Sequence, residues 1–268
     1  MTTLHERLSD AMIRLEPFPH IVVPDALDAD LYRQLCVGFP PFARIGWSDP
    51  QHVPDSNMKF ELSAAQIMAD EEMPEAWRIF AALHSDRAFF DSVAASFSAH
   101  WPTALQEVLG GTLDGHTMER LVRSRPRAAR IALDARIEIN CPVVADASSP
   151  RGAHLDTPNR VYSGLFYLRH PEDDSQGGDL QLFRWKDGPV GDIDAFELPP
   201  EHVECVATIP YRSNLLVFFP QGIDAIHGVS VRQPTRHFRR YVFLTAELAE
   251  DWLASPGEAC RRQTAAVQ

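Results

Sequence analysis

The 268-residue chain lacks the features that mark several common classes of protein. It has no apolar run near the ~18 residues that a membrane span requires, and its first ten residues carry charges where a secretion signal would be apolar. Lys and Arg number 25 against 37 Asp and Glu, so the basic surface needed for non-specific nucleic-acid binding is missing. We therefore expect a soluble, cytoplasmic protein with neither a membrane nor a nucleic acid as its partner.

Cysteine pairs and the common nucleotide and nucleophile motifs are also missing. None of the four cysteines forms a CxxC pair; they are Cys36, Cys141, Cys205 and Cys260. This excludes a zinc knuckle and gives no sign of a disulfide framework. There is no GxSxG elbow, P-loop or GxGxxG, so a serine nucleophile, a nucleoside triphosphate and a dinucleotide lack support. No low-complexity linker divides the chain, and one structural domain is expected.

What the first half contains is helical periodicity. Apolar residues recur at helical spacing in LHERLSDAMIRL, DADLYRQLCVGF, PEAWRIFAALHS, RAFFDSVAASFSAHW and TALQEVLG. These segments predict a helical support region over residues 1–128. Residues 40–60 are rich in Pro and polar residues, and such a long loop is usually functional or disordered. We predict a lid there, with Asn57 or Lys59 touching substrate; a surface loop without ligand contacts is the alternative.

The second half reads as a succession of short strands. Alternating, β-branched and aromatic segments are separated by Gly and Pro clusters; they are RVYSGLFYL, GGDLQLF, NLLVFF, IHGVSV and RRYVFLT. The pattern predicts a β core over residues 129–247, followed by a C-terminal helix and tail over 248–268. With the helical first half, the fold class is α+β.

Three potential metal ligands stand out in this β region. His154 and Asp156 are two residues apart in GAHLDTP, so in an extended segment their side chains point to the same face. A second imidazole, His227, follows in AIHGVSV. Two imidazoles and one carboxylate leave other positions on a metal open, which suits a non-haem Fe(II) that also binds substrate oxygens and O₂.

These residues lie within an ordered series of motifs that resembles a known family, the Fe(II)- and 2-oxoglutarate-dependent oxygenases of the prolyl-hydroxylase-like branch. The likeness covers about residues 130–247, and PFPHIVVPDAL near the N-terminus is similar to the usual opening of such proteins. The matching elements are His154-Leu155-Asp156, Phe166-Tyr167-Leu168, Gly177-Gly178-Asp179-Leu180, Leu215-Leu216-Val217-Phe218-Phe219, His227-Gly228-Val229 and an arginine-bearing last strand.

The resemblance implies a fold, a chemistry and a set of site residues. The fold would be a double-stranded β-helix, a jelly-roll or cupin-like core with helices packed against it. Iron would be held by His154, Asp156 and His227, which would form the catalytic centre. The cosubstrate 2-oxoglutarate and O₂ would be consumed with release of succinate and CO₂. The far carboxylate of 2-oxoglutarate would meet a basic residue on the last strand and a hydroxyl, whose position Tyr167 matches.

The basic residue has more than one candidate. If Val242 and Leu244 face the barrel interior, the alternation of a strand turns Arg240 inward with them and Arg239 outward. Arg240 is therefore the first choice for binding 2-oxoglutarate. Arg236 is the second, because it shares that parity, although Pro234 beside it suggests a turn.

Other functions and roles stay open at this point. A zinc hydrolase can use the same ligands with an activated water, and a non-catalytic jelly-roll module can bind a metal or ligand without turnover. We expect a small-molecule or tethered substrate, of undetermined identity, and the oligomeric state is not indicated.

The arginines of MERLVRSRPRAAR, between Arg120 and Arg130, offer either an anion site or a solvated face. On the next strand Arg136, Glu138 and Asn140 share one face and are candidates to line the pocket.

Overall fold

The computed structural model describes residues 3–46, 57–190 and 192–255. Residues 47–56 of the predicted lid and residues 256–268 of the predicted tail lie outside these ranges. Within the described ranges, no helix has the length and apolar character needed to cross a membrane.

Seven helices precede the β core in these ranges, in agreement with the helical periodicity of the first half. They are α1 (Leu4–Ser9), α2 (Ala29–Val37), α3 (Phe42–Ile45), α4 (Ala64–Ala69), α5 (Glu75–Leu83), α6 (Arg87–Ser96) and α7 (Thr103–Val108).

The helix termini follow from local sequence chemistry. The carboxylate of Asp28 accepts from the Leu31 amide at 2.9 Å and starts α2, and Ser63 starts α4 with a reciprocal capping box to Gln66. Pro74 directly precedes α5, where its missing N–H costs no helical hydrogen bond. Such caps satisfy amide groups that would otherwise lack partners.

Eleven strands form two sheets in the described chain. They are β1 (Ile13–Arg14), β2 (His20–Pro24), β3 (Lys59–Leu62), β4 (Met118–Arg120), β5 (Ile131–Asn140), β6 (Arg160–Tyr167), β7 (Leu180–Trp185), β8 (Val203–Ile209), β9 (Leu215–Pro220), β10 (His227–Val229) and β11 (Arg239–Leu248). The large sheet has the order β1-β2-β9-β6-β11-β5-β3, with β4 parallel to β5, and the small sheet has the order β10-β7-β8.

The two sheets are the halves of a double-stranded β-helix, and the predicted α+β fold is confirmed. The chain crosses from one sheet to the other four times, between β6 and β7, β8 and β9, β9 and β10, and β10 and β11. Strands from both halves of the sequence build the large sheet, since β2 pairs with β9 and β3 pairs with β5. The region 1–128 thus contributes strands as well as helices, and the division into a support region and a core remains a proposal.

The large sheet is buried on both faces. On one face, Leu244 and Phe218 lie on either side of Gly164, and the Phe218 ring meets Phe89 of α6 at 6.2 Å. On the other face, Arg239, Tyr241 and Phe243 of β11 line a cavity between the two sheets. The aliphatic face therefore packs on the helices, while the barrel interior carries polar and aromatic side chains.

Candidate active site

The backbone brings His154 and His227 together. Each donates its amide N–H to the other's carbonyl, at 2.8 and 3.0 Å, which makes them an antiparallel bridge at the edge of the small sheet. Residues opposite one another in such a pair project to the same face, and the two rings lie with centroids 4.4 Å apart. Gly228 allows this approach, because a Cβ there would lie 2.6 Å from the Gly152 carbonyl oxygen.

Asp156 completes the group. Leu155 is buried in the core while the residues on either side of it turn to the cavity, as the alternation of an extended segment predicts. A carboxylate oxygen of Asp156, Oδ2, lies 3.8 Å from Nε2 of His227. The candidate ligand atoms of all three residues lie within 4.8 Å of one another, which fits a single metal ion.

The hydrogen bonds of the two histidines leave the Nε2 atom of each ring free to bind a metal. Nδ1 of His154 lies 2.8 Å from the Gly152 carbonyl, and Nδ1 of His227 lies 3.0 Å from the Ala225 carbonyl. A carbonyl only accepts, so both Nδ1 atoms carry the proton and both Nε2 atoms keep a lone pair for a metal. The hydroxyl of Ser163 donates to Asp156, which orients the carboxylate in the manner of outer-shell partners of metal ligands.

Electrostatics favours the protonation states that a metal needs. Burial opposes ionisation of Asp156, but His227, Arg160, His154 and the Ser163 hydroxyl outweigh it and lower the carboxyl pKa. Burial, then the neighbouring His227, lowers the pKa of His154. A charged carboxylate beside a neutral imidazole is the form in which these groups coordinate metal ions.

The three side chains open onto a cavity of about 440 Å³ between the sheets. Its polar lining includes Glu138, Asn140 and Lys59, and its apolar walls include Leu165 and Phe243. Glu138 accepts from Arg136 Nε at 2.6 Å and from the Tyr241 hydroxyl at 2.6 Å. Two of the three β5 residues expected at the pocket therefore line it, whereas Arg136 serves as the ion-pair partner of Glu138.

A buried guanidinium, that of Arg239, lines the same cavity. Nε donates to the Gly178 carbonyl at 2.7 Å, Nη1 to Asn140 Oδ1 at 3.4 Å and Nη2 to the Tyr167 hydroxyl at 3.2 Å. All three acceptors are neutral, and no carboxylate of the described residues lies within 4 Å of this guanidinium. Tyrosine rings surround the guanidinium carbon at 4.7 to 5.3 Å.

The prediction that Arg240 points inward was wrong. Its guanidinium carbon lies 4.6 Å from the centroid of the Phe39 ring, outside the cavity. Side chains do alternate along β11, as expected. The face assigned to the barrel interior was the wrong one, because Val242 and Leu244 pack on the helix side. Arg236 is exposed in the turn before β11 and also lies outside the cavity lining, as Pro234 had suggested.

The Tyr167 hydroxyl lies 3.2 Å from Arg239 Nη2, directly behind the cavity lining, of which Tyr167 itself is not a part. Burial raises the pKa of its phenol, so the hydroxyl stays protonated at neutral pH. Since the Arg239 N–H uses a lone pair of Oη, the phenol proton is free to be donated to a further acceptor.

The arginines between Arg120 and Arg130 are engaged in structural contacts. Arg127 and Arg130 lie close to the carboxylates of Glu247 and Glu250 at the end of β11. Arg123 pairs with Glu61 at 3.1 Å, Arg125 pairs with Glu119 at 3.4 Å, and Arg120 donates to the Ser85 hydroxyl at 2.7 Å. This cluster lies outside the metal-ligand cavity, so the solvated or paired face is the better interpretation.

Asn57 and Lys59, at the end of the predicted lid, both line the cavity. The Asn57 side chain is occupied structurally, because it accepts from Arg232 Nη1 at 2.7 Å and donates to the Ser148 carbonyl at 3.2 Å. Arg151 and Phe196 are among the other lining residues that sequence reasoning missed. The first lies three positions before His154, close enough in the chain to have been noticed; nothing in the sequence marked the second.

Comparison with known proteins supports the fold. No protein-family model matches the sequence, and no curated protein matches it. A prolyl 4-hydroxylase structure from Phytophthora capsici is 15% identical with a TM-score of 0.50, covering 92% of this chain and 64% of that one. A prolyl-4-hydroxylase from Pseudomonas putida is 16% identical over 92% of this chain and 100% of its own, with a TM-score of 0.46. A 2OG-Fe(II) oxygenase family oxidoreductase from Burkholderia pseudomallei is 14% identical over 94% of both chains, with a TM-score of 0.45. The match to the Phytophthora capsici structure, with its TM-score of 0.50, confirms the expected prolyl-hydroxylase-like fold.

Proposed function

We propose that this protein is an Fe(II)- and 2-oxoglutarate-dependent oxygenase that hydroxylates a small molecule, with release of succinate and CO₂. The observation that carries the proposal is the presence, in one cavity, of two imidazoles, a carboxylate and a buried guanidinium that has no carboxylate partner among the described residues. A metal site alone fits many functions, whereas a second site for an anion beside it fits a metal enzyme that uses an acidic cosubstrate.

His154, Asp156 and His227 would hold the iron. Their donor set is the mixed imidazole and carboxylate type that non-haem Fe(II) accepts, and both Nε2 atoms are free for it. When bound, iron with 2-oxoglutarate and O₂ supplies the oxidising power. The residues of this chain would hold the iron and 2-oxoglutarate in place and orient the substrate.

Arg239 and Tyr167 would bind the far carboxylate of 2-oxoglutarate, in place of the arginine expected from parity. A buried guanidinium with only neutral acceptors is a costly arrangement that an anion relieves. Its N–H groups and the free proton of the Tyr167 hydroxyl supply charge-assisted donors to a carboxylate. Arg236 and Arg240 do not line the cavity and are not proposed for this role.

A small substrate fits the dimensions of the cavity. Sites for small molecules commonly measure about 300 to 1,000 Å³ and combine apolar walls with a few polar groups. The cavity here, of about 440 Å³, has both. The remaining wall, formed by residues such as Met58, Pro150 and Val229, is apolar and would surround the carbon skeleton of the substrate.

The test is direct. The full chain, with Fe(II) and 2-oxoglutarate under anaerobic conditions, should develop a weak visible charge-transfer band, and admission of O₂ should then yield succinate even without substrate. Zinc-dependent hydrolysis of esters or amides, without band or succinate, would replace the proposal by the hydrolase that the same ligands allow. If neither activity is found, the remaining interpretation is a non-catalytic binding module.

A further inference from the structure

A second positive group borders the cavity, at its rim. Arg151 lies three residues before His154, and its backbone is fixed to the small sheet, since its carbonyl accepts from the Val229 amide at 2.9 Å. Its Nε donates to the Phe196 carbonyl at 2.6 Å, and the guanidinium carbon lies 5.0 Å from the centroid of the Phe196 ring. The side chain is thus held at the rim by one hydrogen bond and one ring contact.

The Arg151 guanidinium forms no salt bridge within the described chain, although Asp156 and Glu197 lie near enough to act on its charge. No carboxylate oxygen of the described residues lies within 4 Å of the guanidinium. The nearby carboxylate of Glu197 accepts from the Gly152 amide at 2.6 Å and forms no hydrogen bond with the Arg151 guanidinium. Asp156 would share its charge with a metal. The fork of Nη1 and Nη2 therefore has donors available for a ligand.

The other cations of the cavity have partners or a role. Lys59 lies 3.6 Å from Glu138, and Arg239 is proposed to bind 2-oxoglutarate. Among the described residues, this leaves Arg151 as the cation of the cavity lining that has neither a salt-bridge partner nor an assigned role. Beside it Phe196 lines the cavity and is 68% exposed, so its ring offers apolar surface next to the guanidinium.

We propose that the substrate carries a carboxylate, which Arg151 binds, and an apolar skeleton, which lies against Phe196 and the cavity wall. This inference rests on the proposed function and gives its substrate a chemical class. One guanidinium with two free N–H ends matches a carboxylate in both charge and planar geometry. A doubly charged phosphate would have one charge uncompensated.

The experiment compares an acid with its neutral amide. The full chain, loaded with Zn(II) in place of iron and with 2-oxoglutarate, is titrated with 3-phenylpropanoate and with 3-phenylpropanamide, and binding is followed by ligand-observed NMR. We expect the acid to bind about 10- to 100-fold more tightly than the amide, the range for hydrogen bonds to charged groups. Phenyl phosphate, titrated in parallel, should bind no more tightly than the acid.

Variants assign the preference to one side chain. Arg151→Gln should bring the acid to the affinity of the amide, and Arg151→Lys should keep part of the preference, because it retains the charge but not the planar fork. Arg212→Gln, at an exposed position outside the cavity lining, removes the same charge and should change nothing. Equal binding of acid and amide, tighter binding of the phosphate, no binding of the acid up to about 20 mM, or an unchanged preference in Arg151→Gln would each overturn the proposal.

A separate measurement keeps this proposal apart from the proposed function. Succinate formation from 2-oxoglutarate without substrate should be the same in Arg212→Gln, which lies outside the cavity lining, and in the unaltered protein. If neither forms succinate, the oxygenase function fails, whereas the acid preference is still judged by the titration. If succinate forms and the acid preference is missing, only the substrate class is wrong.

Discussion

Nη2 of Arg239 donates to the Tyr167 hydroxyl at 3.2 Å, and both side chains are buried. The pair joins two neighbouring strands of the large sheet, β11 and β6, where Tyr241 is the register partner of Tyr167. The guanidinium lines the cavity, and the phenol holds it from behind while keeping its own proton for a further acceptor.

Replacing Arg239 should weaken the binding of 2-oxoglutarate. Arg239→Gln removes the charge and the fork, and we expect the KM for 2-oxoglutarate to rise about 10- to 100-fold, the range for charge-assisted hydrogen bonds. Tyr167→Phe removes one donor and should have a smaller effect. Steady-state succinate formation measures both.

Arg240→Gln is the matched control for Arg239→Gln. The two arginines are adjacent, but Arg240 lies over Phe39 and away from the cavity. Its replacement should leave the KM for 2-oxoglutarate unchanged. A large rise in KM in Arg240→Gln, with none in Arg239→Gln, would restore the assignment made from sequence parity.

Removal of a ligand should abolish metal binding. Asp156→Ala or His227→Ala takes away one of three donors. Changes to the partners that orient metal ligands typically lower metal affinity about 10- to 100-fold, and loss of a ligand itself should lower the affinity for Fe(II) further. Ser163→Ala removes only the hydroxyl that orients Asp156, and the loss of Fe(II) affinity should lie within that range of about 10- to 100-fold. Iron retained after anaerobic dialysis measures the effect. Full iron content in Asp156→Ala would exclude this carboxylate as a ligand.

Gly164 should be intolerant of any side chain. A Cβ there would lie 2.3 Å from Cε2 and 2.4 Å from Cδ2 of Phe218, a ring packed between the sheet and α6. Gly164→Ala should lower the free energy of unfolding by about 1 to 3 kcal/mol, the usual cost of overpacking. Gly222→Ala is the control, since its Cβ would meet only Pro102 at an ordinary 3.4 Å. Equal chemical denaturation midpoints for the two variants would contradict the prediction.

Acid should destabilise the protein through His84. Burial lowers the pKa of this histidine to about 3, whereas a histidine in an unfolded chain has a pKa near 6.5 (about). Between these values the unfolded state binds a proton that the folded state does not, so stability falls as pH falls, by at most about 1.4 kcal/mol per pH unit.

His84→Gln tests this contribution, because Gln does not titrate but offers both a donor for the Phe80 carbonyl and an acceptor for the Leu4 amide, the present partners of the ring. Urea unfolding at pH 6.5 and pH 5 should show a smaller loss of stability in the variant. An identical loss in the two proteins would mean that His84 is not the group that titrates.

Much of the fold could be predicted from the sequence, because local chemistry decides it. The apolar spacing around Trp77, Phe80 and Phe89 predicted helices, and all three side chains are buried in the core. The alternation in the second half predicted strands, and the parity of His154 and Asp156 predicted that both face one site. Each of these inferences needs only the geometry of a few consecutive residues.

The identity of the cavity arginine could not be read from the chain. Alternation establishes that Arg239 and Arg240 point opposite ways, but β11 is buried on both faces, so apolar neighbours do not identify the barrel interior. Only the packing of Leu244 on the helix side, beside Gly164 and Phe218, decides which face is which.

The sequence by itself determined the ligand types, the helices of the first half, most strands of the core and the class of fold, since these depend on periodicity and on side-chain chemistry. It did not indicate β8 or the strands β1 to β4 of the first half. The tertiary structure decided which charges meet across the cavity, with Arg239 beside Tyr167 and Arg151 beside Phe196. Such contacts join residues far apart in sequence or on facing loops, and their geometry is set by how two sheets close on one another rather than by any local pattern.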